Sequence, residues 1–297
     1  MATDPTIGDG VRISCIVTCY NQEATVGEAI RSLLGQARRP DEIVVADDGS
    51  TDGSRQLIES MANEHPIITP VFRERNLGVT INRDLAVRQT DADFVTALDG
   101  DDYHLPGKLA GESAAITRTS APIAFSDQRL IHVETGQTDF EHLGSFATFS
   151  KKERVRWMLA ARTHVPRDVL VAKDLHIKMG GYRRQGEPYE DWDYKIRLAA
   201  IADQWAYSGV EGVVHRLHAG GLSQISFIRH AVKRITVIRD NRDLIQHEAG
   251  PGFYYGMILF TLAWAAKWQT RSLTWRAQQQ IHRFRPQTDG QSKDATM

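Results

Sequence analysis

Over the first 110 residues, short apolar runs alternate with segments of helical period, and this alternation constrains the fold more than any other feature of the chain. Residues 13–18, 42–46, 67–72 and 93–98 read as strands. Residues 24–36, 54–63 and 79–89 read as helices, the first placing Val26, Ala29, Ile30, Leu33 and Leu34 on one face. Pro70 cannot donate to a ladder, so the third strand belongs at an edge. Pro106 stands where a further helix would begin. Strands and helices at this spacing imply βαβ units and a mainly parallel sheet. Such sheets bind ligands beyond the carboxyl ends of their strands. Three of these ends carry polar clusters, Thr18-Cys19-Tyr20-Asn21, Asp47-Asp48-Gly49-Ser50 and Asp99-Gly100-Asp101-Asp102, which should therefore converge in space.

Beyond residue 120 the pattern loosens. Residues 123–126 and 129–133 look like strands, with Thr135-Gly136 as a turn; 151–161 and 191–201 look helical; 205–210 and 213–217 look like further strands. From about residue 226 the chain is helical and basic-aromatic, and its polar end from residue 287 reads as disordered. Charge excludes one class of partner. With 36 basic against 37 acidic residues there is no excess cation to neutralise nucleic acid phosphates. Cys15 and Cys19, four apart in one strand, would be separated by roughly 13 Å, too far for a disulfide. Free, buried thiols fit a reducing cytoplasm. Residues 1–10 lack the basic and apolar stretches of a signal peptide. The apolar run 253–268 is short of the length a membrane span needs.

Three carboxylates in four residues, Asp99, Asp101 and Asp102, repel each other unless a cation or hydrogen bonds intervene. Mg²⁺ and Mn²⁺ favour such oxygens together with substrate phosphates, whereas the plainer reading is an acidic turn capping a helix. In Asp47-Asp48-Gly49-Ser50-Thr51-Asp52, one carboxylate could accept the imide N–H of a pyrimidine, or the stretch could be a turn feeding a helix cap. Asn76-Leu77-Gly78 followed by Arg83 offers a planar cation suited to a diphosphate. Glu190-Asp191 suits a helix N-terminus on dipole grounds alone. As a general base, it would gain from partial burial beside Trp192, which raises a carboxyl pKa. His215 reads as structural; His218 precedes the flexible Ala219-Gly220-Gly221.

Taken together, these stretches, with Gly180-Gly181-Tyr182 and His215-Arg216-Leu217-His218, resemble the family 2 glycosyltransferases and their GT-A fold over residues 11 to about 225. The resemblance implies an inverting transfer of sugar from a nucleoside diphosphate sugar, with uridine as the default base, to an acceptor hydroxyl in polysaccharide or glycoconjugate synthesis. It places Thr18 and Tyr20 against the nucleoside, Asp48 on the base, Asp47 as orienter of the loop, and Arg83 near the phosphates. Asp99 would lie by the ribose or the metal, Asp101 and His218 would hold Mn²⁺ or Mg²⁺, and Asp191 would be the catalytic base with Glu190 in support. Asp84, beside Arg83, departs from the family pattern and would weaken phosphate attraction there. Residues 1–120 become the donor-binding half of the GT-A domain, 121–225 the acceptor and catalytic-base half, and 226–297 a helical C-terminal extension.

Neither a dehydrogenase nor a sugar-phosphate nucleotidyltransferase fits well, because no glycine-rich loop follows the first strand. A catalytically inactive nucleotide-sugar or carbohydrate binder of the same fold stays open. So does the extension, which packs on the catalytic lobe or a second copy, or else lies on a membrane near a lipid-linked acceptor. The second use would make a cytoplasmic protein peripheral at the inner face of the membrane. Whether the acceptor is a saccharide, a lipid-linked glycan or a protein is not legible.

Overall fold

The structure is a computed structural model describing residues 10–160, 165–183, 189–218 and 227–283. At its centre lies β1 (Ile13–Cys19), buried at all seven positions. It pairs in parallel with β2 (Glu42–Asp47) on one side and β4 (Phe94–Asp99) on the other; β2 in turn pairs in parallel with β3 (Ile68–Phe72). A mostly apolar run, with Ser14 and Thr18 as its polar members, is what a strand covered on both faces calls for. Ile13, Cys15 and Val17 face α1 (Val26–Leu34), α2 (Ser54–Glu64) and α4 (Lys108–Thr119), while Ile16 faces α3 (Val79–Gln89). The strand containing Pro70 is indeed the edge of the sheet. Cys15 and Cys19 are free and buried, and burial pushes the Cys15 thiol up to about 12, which makes it unreactive.

The sheet runs on through elements too short to show in the sequence. β8 (Leu170–Ala172) pairs antiparallel with both β4 and β6 (Ile123–His132); β6 pairs in parallel with β9 (Ala206–Leu217), and β5 (Tyr103–His104) closes the far edge on β9. The hairpin strand β7 (Thr138–Glu141) joins β6 across the expected turn, with Gly136 at positive φ. The two pairs of short strands expected at 123–133 and 205–217 are thus two long strands, with a register shift between Phe125 and Gln128. β5 starts four positions after the end of β4, with only Gly100, Asp101 and Asp102 between them, so the connection reaches at most about 14 Å. Four flat strand spacings would need about 19 Å. The sheet must therefore curl, and the Asp99–Asp102 loop spans the opening.

The second core packs β6 and β9 against α5 (Lys151–Ala160), α7 (Glu190–Ile201) and the C-terminal helices α8 (Phe227–Asp240), α9 (Arg242–Ala249) and α10 (Pro251–Arg283). Among the described residues no helix is long and apolar enough to cross a membrane. The polar end from residue 287, Ala161 and the Ala219-Gly220-Gly221 stretch lie outside the described residues.

Beneath the sheet runs a buried polar chain. Lys108 Nζ donates to Glu112 at 2.7 Å, Glu112 accepts from the Ser126 hydroxyl, and His104 Nε2 lies 3.1 Å from Asp168 Oδ2. Burial, reinforced by the Lys108 charge, pushes the His104 pKa down to about 4 against the pull of Asp168. Protonation therefore favours the unfolded chain, where the group keeps its ordinary value near 6.5. Stability is full above that value and falls as pH drops from 6.5 towards 4, by about 3 kcal/mol. Denaturant titrations across this window should show that loss in the parent and not in His104→Gln; equal slopes would exclude His104 as the source.

Candidate active site

Strand register brings the polar clusters level. Cys19 is opposite Asp47, and Thr18 is opposite Asp99. Two backbone bonds continue this pairing past the strand ends, Asp48 N–H to Cys19 O and Gly100 N–H to Thr18 O. The first acidic turn is built around Asp47, fully buried, which accepts from the Gly49 and Ser50 amides and from Arg55 Nε at 2.8 Å. Gly49 has φ +82, and a Cβ there would meet the Arg75 backbone at 2.8 Å, so only glycine serves. From this position Asp47 ties the turn to the start of α2. Asp48 has both oxygens engaged, each accepting at 2.9 Å, from Leu77 N–H and Gly78 N–H. It anchors the Asn76-Leu77-Gly78 turn, and burial raises its pKa. Each oxygen keeps a second lone pair for a further donor. Tyr20 is exposed beside these turns, and Thr18 donates its hydroxyl to Asp99 Oδ1 at 2.8 Å.

Arg83, on α3, joins the end of β4 to the start of α7. Its guanidinium, 3% exposed, pairs through Nη2 with Asp99 and through Nη1 with Asp191 Oδ1 at 2.7 Å, carboxylates that are each about one-third exposed. Tyr182 stacks on it, ring centroid 5.3 Å from Cζ. Burial disfavours the Arg83 charge, yet the two carboxylates outweigh it and raise the pKa. The expectation that Asp84 would weaken this cation is not met, because that carboxylate is turned away. It accepts from Tyr182 N–H and Arg88 Nε and faces His176 Nε2 at 3.1 Å. A Cβ on Gly181, at φ +67, would fall 1.9 Å from Asp84 Oδ1. The Gly180-Gly181-Tyr182 stretch is therefore a latch, letting Asp84 hold the Tyr182 backbone while the ring covers Arg83.

The third cluster splits in use. Asp102 is buried and structural, accepting from Arg216 N–H at 2.7 Å with His215 Nδ1 at 2.6 Å. His215 is structural, as read from the sequence. The same contacts carry His218 towards Asp101, whose Oδ2 lies 3.8 Å from His218 Nε2. Both line one cleft with Asn21, Gln22 and Asp52. Burial, then the nearby Asp99 charge, raises the Asp101 pKa.

The Glu190-Asp191 pair differs from expectation in its electrostatics. Burial and then Asp191 push the Glu190 carboxyl up to about 7, and among the described residues its Oε2 has no hydrogen-bond partner. For Asp191, burial acts upward, but Arg83, Lys195 and Arg167 outweigh it and hold the pKa below the usual range. Trp192 is not the cause. It faces the other way, donating Nε1–H to Met158 O under the Arg234 guanidinium. Three further residues about Asp191 escaped the sequence reading. Lys195, one turn along α7, and Asp168 line the pocket that Asp191 and Arg83 share, and Arg167 adds a third cation. The i, i+4 spacing of Asp191 and Lys195 was a usable signal; Arg167 and Asp168 had none, because the strand they precede was not recognised.

A family model described as "Glycosyl transferase family 2" matches residues 14–183. A cholesterol galactosyltransferase of Borreliella burgdorferi is 32% identical over 91 residues, 31% of this chain and 25% of that protein. An uncharacterized glycosyltransferase of Bacillus subtilis, YwdF, is 25% identical over 189 residues, 64% of this chain and 68% of its own length. The chain thus spans only a quarter of the first relative and about two-thirds of the second. Among solved structures, S. aureus TarS 1–349 in complex with UDP-GlcNAc superposes with a TM-score of 0.67 at 20% identity, covering 84% of this chain and 71% of that one. At that identity the likeness establishes the fold.

Proposed function

This chain belongs to the family 2 glycosyltransferases, and from that premise we propose that it transfers a sugar from a UDP-sugar to an acceptor hydroxyl with inversion, in polysaccharide or glycoconjugate synthesis. The observation that carries this reading is the Arg83 bridge, which ties Asp99 at the end of β4 to Asp191 at the start of α7. The crystallised complex of TarS with UDP-GlcNAc supports the choice of donor. Residues 1–120 form the donor half, with Tyr20 and Thr18 towards the nucleoside, Asp48 offering its spare lone pairs to the base, and Arg83 and Asp99 beside the phosphates and ribose. Residues 121–225 form the acceptor half. The buried free thiols fit a reducing compartment, so we place the protein in the cytoplasm.

Asp101 and His218 fit a divalent cation, Mn²⁺ or Mg²⁺, since a carboxylate and an imidazole face one another at the rim of one cleft. Among the described residues there is no cluster of three or more such ligands. The remaining positions would fall to phosphate and water, which suits ions of this class. When bound, the ion offsets charge on the departing diphosphate. The chain's own residues do the rest. Asp191, ionised because Arg83 holds it so, accepts the acceptor hydroxyl proton as that oxygen attacks the anomeric carbon. The bond to the diphosphate oxygen breaks in the same displacement, which inverts the centre. Positioning and fixed charge supply most of the rate.

A screen of nucleoside diphosphate sugars with Mn²⁺ or Mg²⁺ tests this. Turnover of at least one donor, lost on chelation, is expected, and Asp101→Ala should weaken metal-dependent nucleotide binding at least tenfold, roughly the scale of lost metal-site contacts. Donor binding without turnover would favour an inactive binder of the same fold; turnover indifferent to chelator would remove the metal.

A further inference from the structure

The C-terminal helix α10 is apolar on two faces, and among the described residues the protein covers only one of them. Tyr254, Met257 and Thr261 are buried in the second core, whereas Tyr255, Leu259, Phe260 and Leu262 are half or more exposed. The exposed positions from Gly252 to Ala266 carry no charged side chain. A helix apolar all round ordinarily has something against every side. The neighbouring α8 adds exposed Ile228 and Val232.

Charge identifies the missing surface. Between Glu248 and Asp289 there is no acidic residue, yet Lys267, Arg271, Arg276, Arg283 and Arg285 all fall there. At the chain's own frequency of 37 acids in 297 residues, that stretch would carry about five. On α8, Arg229, Lys233 and Arg239 outnumber the one acid, Asp240 at its end, while Arg234 is buried over Trp192. A second copy of this region would set cations against cations, whereas an anionic lipid surface accepts both the apolar face and the charge. Too short in its apolar part to span a bilayer, α10 is suited to lie in the headgroup region. We propose that the exposed face of α10, with the basic residues that follow it, docks this protein on an anionic lipid surface. The argument rests on that face and its charge, independently of the donor chemistry.

Co-sedimentation of the full chain with vesicles tests this. Binding to phosphatidylcholine vesicles containing phosphatidylglycerol is expected, at least tenfold tighter than to phosphatidylcholine alone and weakened by salt. Leu259→Glu with Leu262→Glu, at exposed positions, should cut partition at least tenfold while leaving the melting temperature unchanged. Arg271→Gln with Arg276→Gln should lose about tenfold or more on the anionic vesicles only, since each cation near such a surface is worth about fivefold. Failure of the parent to sediment with anionic vesicles, or equal partition of the apolar variant, would overturn the proposal. So would a dimer in sedimentation velocity without lipid that Leu259→Glu with Leu262→Glu dissolves, since a second copy would then cover the face.

Discussion

Asp191→Asn should leave nucleotide-sugar binding within about twofold of the parent and lower sugar transfer by about 10³-fold, the scale expected for removal of a general base. The substitution keeps shape and the hydrogen bond from Arg83 Nη1, which now ends on the amide oxygen. What is lost is the charge that accepts the proton. Glu190 offers incomplete rescue, because burial and its neighbour keep its carboxyl near neutrality rather than ionised. With Asp191 neutral, the repulsion that helps hold Glu190 up disappears, so residual activity should gain an acid limb below pH 7. Equilibrium binding of the donor and single-turnover transfer, measured on the same preparation, separate the two effects. Transfer at the parental rate would place the base elsewhere.

Arg83→Met should lower transfer by at least about 100-fold and cost about 2 kcal/mol of stability. Removing one partner of a buried ion pair costs about 3–5 kcal/mol, and the smaller figure allows for solvent reaching Asp99 and Asp191, each about one-third exposed. The sign of the pH effect follows from Asp191. Its folded pKa lies below the usual value because Arg83 outweighs burial. Its stabilising contribution is therefore present above the unfolded value near 3.8 and fades as pH falls below it. Without the guanidinium, burial is less opposed, the pKa rises, and the acid limb of kcat/KM should move to higher pH. Arg83→Lys should fall between, because one ammonium cannot fork to two carboxylates. Thermal melts and pH–rate profiles of the three proteins decide it; a variant with parental activity would demote the bridge to packing.

Much of the donor half was legible because β1, β2 and β4 are covered on both faces and so stand out as mostly apolar runs with no charged residue except at an end. The acceptor half was harder for a physical reason. In β6 the polar Ser126, Asp127 and Gln128 interrupt the apolar pattern, yet all three are buried, their partners being Glu112, Leu143 N–H with Tyr207, and Glu141. Such a strand reads as two. β5 and β8, two and three residues long, carry no period at all. The convergence of the acidic strand ends followed from topology. That Arg83 would be shared between Asp99 and Asp191 did not, because a contact spanning 108 residues leaves no local trace. Nor did the division of pKa between Glu190 and Asp191, which depends on which of two adjacent carboxyls meets the guanidinium.

The three-residue link from β4 to β5 works as a drawstring. The segment that carries Asp101 closes the curled sheet, and β5, its outer anchor, makes just two strand pairs with β9, Tyr103–Val214 and His104–Val213. A knot so small is among the first things to slip when a protein breathes. Loss of catalysis under mild heat or chaotrope would then precede any loss of helix, with the acidic loop slackening while both cores are still intact.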